Sequence, residues 1–345
     1  MSEARALIAE TASRIFEDAV DAELLAACEA GTWPRALWDA VEETGLTRAL
    51  VSSGRGGADG DWLDVYEIAR AAGRHCVPLP IVETILAAWL LDRAGMEVPD
   101  GPLGLVPAEI ATGAPSSFER VPWGRHATHI VGVATGAAGG VFCAARDGFS
   151  IDEGHNLALE PRDTITIASS PAAGGAAPAP GSIERLGALL RCGQMTGALE
   201  SLLDRSIQYA GERVQFGKPI GSFQIIQQEL ARMAGLVAEA ATATEVAFAA
   251  ADRAAGVGGE VADSPTFEIA CARVVAGDAA EVAPRIAHQT HGAIGFTYEH
   301  RLHFATRRLW AWRAEFGSER HWSGLLGRQA IARGGDALWP HITSR

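Results

Sequence analysis

The feature that most constrains this chain is the length of its apolar helical pattern after Ile183. Apolar residues recur there at steps of three and four, the spacing that places side chains on one face of a helix. They are Leu186, Leu189, Leu190, Met195, Ala198, Leu199, Leu202, Leu203 and Ile207. Two more long patterns follow, from about Ser222 and over residues 264–292, and Pro284 predicts a bend or restart in the last. Because such helices are not stable alone, we expect them to pack as a bundle.

The sequence before this bundle divides into two parts. Residues 1–103 contain helical patterns separated by breakers, with Asp61 as a predicted N-cap of the segment WLDVYEIARAAG. Residues 104–182 contain short β-compatible runs between Gly, Pro and Asp turns, and they end in PAAGGAAPAPG, which predicts a flexible linker. We therefore expect an N-terminal helical domain (1–103), a reduced β-domain with its linker (104–182) and a C-terminal helical bundle (183–345).

Composition excludes several classes of protein. The net charge of −13 disfavours general nucleic-acid binding, and the Arg-rich run at 301–320 is more typical of a solvated helix face. Five separated cysteines form no disulfide framework or Cys-x-x-Cys pair, which favours a reducing cytoplasm. We predict neither a signal peptide nor a membrane span, because the N-terminus lacks the basic-then-apolar order and no purely apolar run approaches ~20 residues.

Two segments at helix boundaries depart from ordinary helix composition. The first is RVQFGKP at 213–219, which places a cation, an aromatic ring and a Gly-Lys-Pro break together and suits an anionic, aromatic ligand. The second is QTHGAIGF at 289–296, where glycines allow close approach to a phosphate or ring. The histidine pairs around this turn, 288/291 and 300/303, are not predicted to bind metal, because they straddle a turn rather than converge with a fixed second shell.

Taken together, these segments and the element order resemble the acyl-CoA dehydrogenase family. The resemblance covers essentially the whole chain and implies a mainly α fold with a small β-domain, comprising an N-terminal helical domain, a middle β-domain and a C-terminal four-helix bundle. It implies FAD as cofactor, with its adenosine and pyrophosphate half held across a subunit interface. The implied FAD contacts are Arg213, Gln215, Phe216 and Gln224, with Gln289, Gly292 and Ala293 contributed by the neighbouring chain.

The family's catalytic base is the point at which the sequence departs from the resemblance. One family position for this glutamate, counted without gaps from Gly295 and Phe296, falls on Phe316, next to Glu315. The other, counted from Arg213, falls on Gly187, with Glu184 nearly one turn earlier. Since a shift of one residue rotates a helical side chain by about 100°, Glu315 is not expected to reach the same pocket. No catalytic residue is assigned.

The flavin-ring contacts also depart from the family pattern. Residues 105–124, LVPAEIATGAPSSFERVPWG, contain no T-E-P-x-A-G-S-D loop. The leading hypothesis is therefore a subunit that lacks the base, in a heteromeric (α2β2) enzyme that desaturates a bulky acyl-CoA thioester, such as a steroid side-chain thioester, and passes electrons to a separate acceptor. One alternative is a self-sufficient homo-oligomer that uses Glu315 as base. The other is a non-catalytic scaffold that has lost FAD.

Overall fold

The computed structural model describes residues 3–344 apart from 108, 112–115, 136–138, 169–172, 177 and 257–264. Helices occupy the N-terminal part of the chain. They are α1 (Glu3–Ala19), α2 (Ala22–Glu29), α3 (Arg35–Glu43), α4 (Trp62–Arg74) and α5 (Ile81–Arg93). The predicted cap of α4 is confirmed, since Asp61 accepts the N–H of Asp64 while the Asp64 side chain accepts the N–H of Asp61.

Strands follow from Leu103 to Gly174 in two small sheets. They are β1 (Leu103–Leu105), β2 (Ile110–Ala111), β3 (Ser116–Pro122), β4 (His129–Thr135), β5 (Gly140–Ala145), β6 (Phe149–Asp152), β7 (Arg162–Ile167) and β8 (Ala173–Gly174). The first sheet has the order β1-β4-β5-β8 with β2 also beside β4, and the second has the order β3-β7-β6. Ile130, Phe142 and Ile165 are fully buried in a core of this region's own.

Part of the predicted linker is a strand. Residues 171, 172 and 177 lie outside the described residues, but Ala173 and Gly174 form β8, which pairs antiparallel with Phe142 and Val141 of β5. Because the unpaired edge of β5 offers free backbone groups, the low-complexity sequence is able to complete the sheet without side chains of high β-propensity. The chain then enters the bundle at Ser182.

The C-terminal helices form the bundle predicted from the apolar pattern. They are α6 (Ser182–Glu212), α7 (Gln224–Gly256), α8 (Thr266–His291), α9 (Leu302–Trp312), α10 (Glu319–Arg333) and α11 (Gly335–Thr343). The predicted restart at Pro284 is wrong, because α8 continues through it, and the alternative, a bend, stays a prediction. The buried Ala280, Ala283 and Ala287 hold this part of α8 against its neighbours, which offsets the one hydrogen bond that proline removes.

Helix α7 is long and apolar enough to cross a membrane by length and composition alone. In this fold it packs along α6 and α8, and 39% of its most apolar stretch is buried. The N-terminal helices join the bundle through a close crossing of α4 and α6. Side chains at Gly73 and Gly197 would overlap the backbone of the facing helix, so glycine at both positions permits the contact.

Candidate functional site

The segment after α6 forms a tight hairpin that projects from the end of the bundle. Its two short strands are β9 (Val214–Gln215) and β10 (Lys218–Pro219), which pair antiparallel. Between them Phe216 and Gly217 have φ of 53° and 79°, so both central residues occupy the left-handed region. This conformation suits glycine and is strained for phenylalanine, and such strain is typical of functional loops.

The side chains of this hairpin are exposed, and the ring of Phe216 also makes an edge contact with Phe223, with centroids 6.1 Å apart. The ring of Phe216 is 91% exposed. Arg213 and Gln215 are also exposed, and their side chains make no hydrogen bond or ion pair with the residues that the structure describes. An exposed guanidinium without a carboxylate partner is available for a phosphate.

The second predicted loop follows α8. At Gly292 the backbone adopts φ 63° and ψ −141°, a conformation that residues with a side chain rarely adopt, and a short 3₁₀ helix then runs from Gly292 to Phe296. Gln289, Gly292 and Ala293 are all exposed. Gln289 makes no side-chain hydrogen bond within the described part of the chain, so the polar groups of this turn are available too.

Both loops lie at the same end of the bundle in a single chain. Helices α6 and α8 end side by side. The ring of Tyr209, near the end of α6, stacks on His291 at the end of α8, and the ring centroids are 4.4 Å apart. The exposed Gln224 begins α7, directly after the hairpin. The predicted division of these contacts between two chains stays a prediction.

The two sequence positions considered for the base meet in space. Gly187 on α6 lies against the ring of Phe316, which a side chain at 187 would overlap. Phe316 itself has φ 52°, in the left-handed region. The two family positions for the catalytic base therefore lie at the same place in the structure. The ring of Phe316, packed on Gly187, fills that place.

Glu315, the neighbouring carboxylate, is held by two arginines. Its oxygens lie 2.7 Å from Arg162 Nε and 2.8 Å from Arg191 Nη2, and Asn156 Nδ2 donates to it at 3.3 Å. Burial alone would raise the pKa of Glu315, but the charges of Arg162 and Arg191 outweigh it and lower the pKa to about 2. The carboxylate is thus a permanent ion-pair partner near neutral pH.

These groups belong to a larger set that we call the ionic cluster. It contains three arginines and three glutamates, all almost wholly buried: Glu83, Glu160, Arg162, Arg191, Arg308 and Glu315. Arg191 bridges Glu315 and Glu83 on α5 at 2.8 and 2.6 Å. Glu160 pairs with Arg162 at 3.0 Å and with Arg308 at 3.2 Å. The balanced charges join the N-terminal helices, the strand region and the bundle at one point.

The ionic cluster corrects the interpretation of the Arg-rich run as a solvated face. Arg308 is 1% exposed and serves the cluster, while Arg307 and Arg313 form ion pairs with Glu29 and Glu319. Sequence reasoning missed the cluster except for Glu315. The available signal was the single charge inside each of two strongly apolar runs, Glu83 in IVETILAAWLL and Arg191 in LLRCG.

A cavity of about 490 Å³ opens beside Phe316. Its wall includes Glu184, whose carboxylate lies 3.4 Å from His321, and Glu109, which accepts the N–H of Gly181 at 2.6 Å. Glu184 therefore shares a cavity with Phe316. The strand-region loop predicted to differ from the flavin-ring pattern lies partly outside the described residues, at 108 and 112–115.

The histidines near the second loop are engaged in stacking. His288 stacks on Phe296 and Trp310, with centroids 4.5 and 5.9 Å away, and His291 stacks on Tyr209. Burial lowers the pKa of both imidazoles. Within the described residues, no group of three or more potential ligands is arranged to hold a metal ion.

The fold and the two loops define the acyl-CoA dehydrogenase class, and comparison with known proteins agrees. Residues 2–98 match the family described as acyl-CoA dehydrogenase, N-terminal domain, and residues 184–328 match the acyl-CoA dehydrogenase, C-terminal domain. The chain belongs to the acyl-CoA dehydrogenase family, and its predicted fold class is confirmed.

Individual relatives and solved structures resemble the chain over most of its length. Acyl-CoA dehydrogenase IpdE2 from Mycolicibacterium smegmatis is 29% identical over 321 residues, covering 89% of this chain and 93% of the relative. The ChsE4-ChsE5 complex from Mycobacterium tuberculosis matches with a TM-score of 0.86 at 19% identity, covering 97% of this chain and 99% of the other. The steroid acyl-CoA dehydrogenase Tcur3481-Tcur3483 (G363A variant) matches with a TM-score of 0.84 at 21% identity, covering 96% and 98%.

Proposed function

We propose that this chain is the base-lacking subunit of a heteromeric, FAD-dependent acyl-CoA dehydrogenase. It would hold part of the cofactor, while a second acyl-CoA dehydrogenase-like chain supplies the base. The assembled enzyme would desaturate the α,β bond of a bulky acyl-CoA thioester in the cytoplasm and pass electrons to a separate acceptor. A steroid side-chain thioester is the substrate class that we favour.

The observation that carries this proposal is the state of Glu315. A general base is most effective when its pKa lies near the working pH, because it must accept a proton readily. Glu315 has a pKa of about 2, and both its oxygens face arginine. Moving this side chain toward a substrate would also leave Arg162 and Arg191 buried with less counter-charge, at a cost of several kcal/mol. We therefore propose a structural role for Glu315.

The positions at which the family places its base support the same conclusion. Phe316 and Gly187 pack together there, and neither side chain is able to accept a proton. Glu184 in the adjacent cavity is half-exposed and lies 3.4 Å from His321. The proposal accordingly assigns removal of the α-proton to the partner chain.

The exposed loops fit the adenosine and pyrophosphate half of FAD. Arg213 would pair with the pyrophosphate, bordered by Gln215 and Phe216, while Gln224, Gln289, Gly292 and Ala293 would line the same stretch of cofactor. As the resemblance implies, we propose that Gln289, Gly292 and Ala293 reach this FAD from the neighbouring chain, so that each cofactor lies across two chains. The bound flavin supplies the acceptor for the hydride that leaves the β-carbon. This chain's residues hold and orient the cofactor's phosphate end.

The comparisons support assembly with an unlike chain. The ChsE4-ChsE5 and Tcur3481-Tcur3483 structures each combine two differently named proteins, and Tcur3481-Tcur3483 is described as a steroid acyl-CoA dehydrogenase. This chain resembles them in fold over nearly its whole length. The self-sufficient homo-oligomer is disfavoured by the pairing of Glu315, and the scaffold that has lost FAD is disfavoured by the unpaired polar groups of both loops.

Co-purification with candidate partner chains tests the proposal. We expect the chain alone to be an oligomer with little bound flavin, and the mixture to form an α2β2 complex that is yellow and reduces a dye with substrate. Light scattering and flavin absorbance per complex provide the measurements. A yellow homo-oligomer with dye-linked turnover would support the self-sufficient alternative instead. A chain that remains colourless with every partner would support the scaffold.

A further inference from the structure

A second cavity lies where α1, α4 and α6 meet the segment 299–301, and its volume is about 750 Å³. The residues assigned above to FAD do not line it. Three arginines do, Arg74, Arg205 and Arg301. We call this space the arginine cavity, and the three side chains differ in whether their charge is matched.

Arg205 carries an unmatched charge. It is half-buried, and its side chain donates to Ser201 Oγ at 3.3 Å. None of the described carboxylates lies within ion-pair distance of it. Burial, together with the charges of Arg301 and Arg74, lowers its pKa. Arg205 therefore faces two like charges across a space large enough to hold a ligand.

Arg301 is similarly unmatched. One terminal nitrogen donates to the carbonyl of Val20 at 2.9 Å, whereas Nε is buried without a hydrogen-bond partner. No ion pair joins Arg301 to a carboxylate in the described part of the chain. Arg74 differs, because it pairs with Asp204 at 2.6 Å. Two of the three guanidinium groups thus lack a counter-ion.

The acidic residues of the wall do not meet this need. All four acidic residues of the wall are exposed, and two of them already have partners; the four are Glu17, Asp204, Glu212 and Glu299. Asp204 holds Arg74, and Glu212 accepts from the neutral amide of Gln208 at 2.8 Å. The wall therefore carries four exposed carboxylates besides its three guanidinium groups, and none of the four lies within ion-pair distance of Arg205 or Arg301. A buried or half-buried charge of this kind is stabilised by an anion that offsets it.

Burial disfavours the charged form of the two histidines in the wall. It lowers the pKa of His75 and His300, and the charge of Arg205 lowers both further, whereas Glu17 raises the pKa of His75. The hydroxyl groups of Ser201 and Tyr209 also line the cavity. Neutral donors beside two guanidinium groups suit a small dianion with several acceptor oxygens.

We propose that the arginine cavity binds the phosphate group of a small-molecule phosphate between Arg205 and Arg301. The bound dianion would offset both unmatched charges, and Ser201, Tyr209 and the imidazoles would donate to its remaining oxygens. The source is either free phosphate or the phosphate of a nucleotide. The residues proposed to hold FAD do not line this site, which adjoins the FAD loops at Tyr209, and the site does not depend on the proposed function.

Thermal unfolding of the purified full chain tests this assignment with inorganic phosphate and with adenosine monophosphate, at ionic strength balanced with potassium chloride. At about 100 times the Kd, a bound anion should raise the Tm by roughly 3 °C. Arg205→Gln should weaken binding at least about tenfold. Without phosphate, the same variant should match or exceed the wild-type Tm, because it removes a like charge. A purely structural arginine would instead lower the Tm on substitution.

A matched control and a second variant complete the design. Arg14→Gln removes an exposed arginine of α1 that does not line the cavity, and it should leave the phosphate response unchanged. Arg301→Gln provides an independent test if Arg205→Gln fails to fold.

Equal affinity for both probes identifies free phosphate as the ligand. Binding of adenosine monophosphate at least tenfold tighter than that of phosphate identifies a nucleotide. The proposal is overturned if neither probe raises the Tm more than potassium chloride does. It is also overturned if both cavity variants show the same Tm shift as the wild type. Unchanged flavin occupancy of the assembled complex that carries Arg205→Gln separates this outcome from the FAD assignment.

Discussion

The exposed end of the bundle and the buried ionic cluster use arginine in opposite ways. Arg213 projects from a strained hairpin and has no partner among the described residues, whereas Arg162 and Arg191 are 2% exposed and each contacts two glutamates. Unpartnered polar groups beside exposed aromatic rings are suited to binding, and fully paired buried groups are suited to fixing a structure. The difference assigns ligand contact to the first region and architecture to the region where the family places its base.

The largest expected effect comes from breaking the ionic cluster. Arg191→Met would leave Glu83 and Glu315 facing each other without their shared cation. Removing one partner of a buried ion pair costs about 3–5 kcal/mol, so the free energy of unfolding should fall by that amount. Urea denaturation measures it.

The double variant Arg191→Met with Glu83→Gln serves as the matched control, and it should recover part of the loss because it removes one unpaired charge. A loss below about 1 kcal/mol in the single variant would show that the cluster does not stabilise the fold.

The next effect is a difference in acid stability between wild type and Glu315→Gln. The folded-state pKa of Glu315 is depressed to about 2, so its stabilisation is present above its unfolded pKa, near 4.3, and is lost as pH falls toward 2. The variant should therefore be less stable than wild type at pH 7, and the gap should narrow below pH ~4.5. Denaturant titrations at several pH values measure the gap.

Glu23→Gln provides a control at an exposed carboxylate of α2. Its stability should run parallel to that of wild type over the whole range. A constant gap between wild type and Glu315→Gln from pH 7 down to about pH 3 would contradict the ion-pair assignment.

A smaller effect is expected at the exposed loops. Arg213→Ala should weaken FAD binding by about 10–100-fold, because a charge-assisted hydrogen bond to pyrophosphate contributes about 1.5–3 kcal/mol. It should leave the unfolding free energy of the bundle within about 0.5 kcal/mol, since the Arg213 side chain makes no hydrogen bond or ion pair with the described residues. Flavin absorbance per assembled complex and circular dichroism give the two measurements.

Arg232→Ala removes another exposed arginine, from α7, and should change neither quantity. Unchanged flavin occupancy in Arg213→Ala would remove Arg213 from the cofactor site.

The sequence predicted the bundle and both loops because each rests on local information. Apolar spacing defines α6 to α8, and Gly292 and Gly217 mark turns that need a positive φ. The ionic cluster could not be predicted, because its charges come from residues as far apart as Glu83 and Glu315 and pair only after the fold forms. Similarly, nothing local showed that Gly187 and Phe316 would meet, although each was identified separately.

The rate of substrate-dependent flavin reduction in a FAD-loaded heteromer that carries Glu315→Gln in this chain distinguishes a base on the partner chain from a base at Glu315. We predict a rate within about twofold of the wild-type complex, because the base belongs to the partner chain. A substitution of an essential base lowers the rate by about 10²-fold or more. A loss of about three orders of magnitude, with FAD still bound, would contradict the claim and make Glu315 the base.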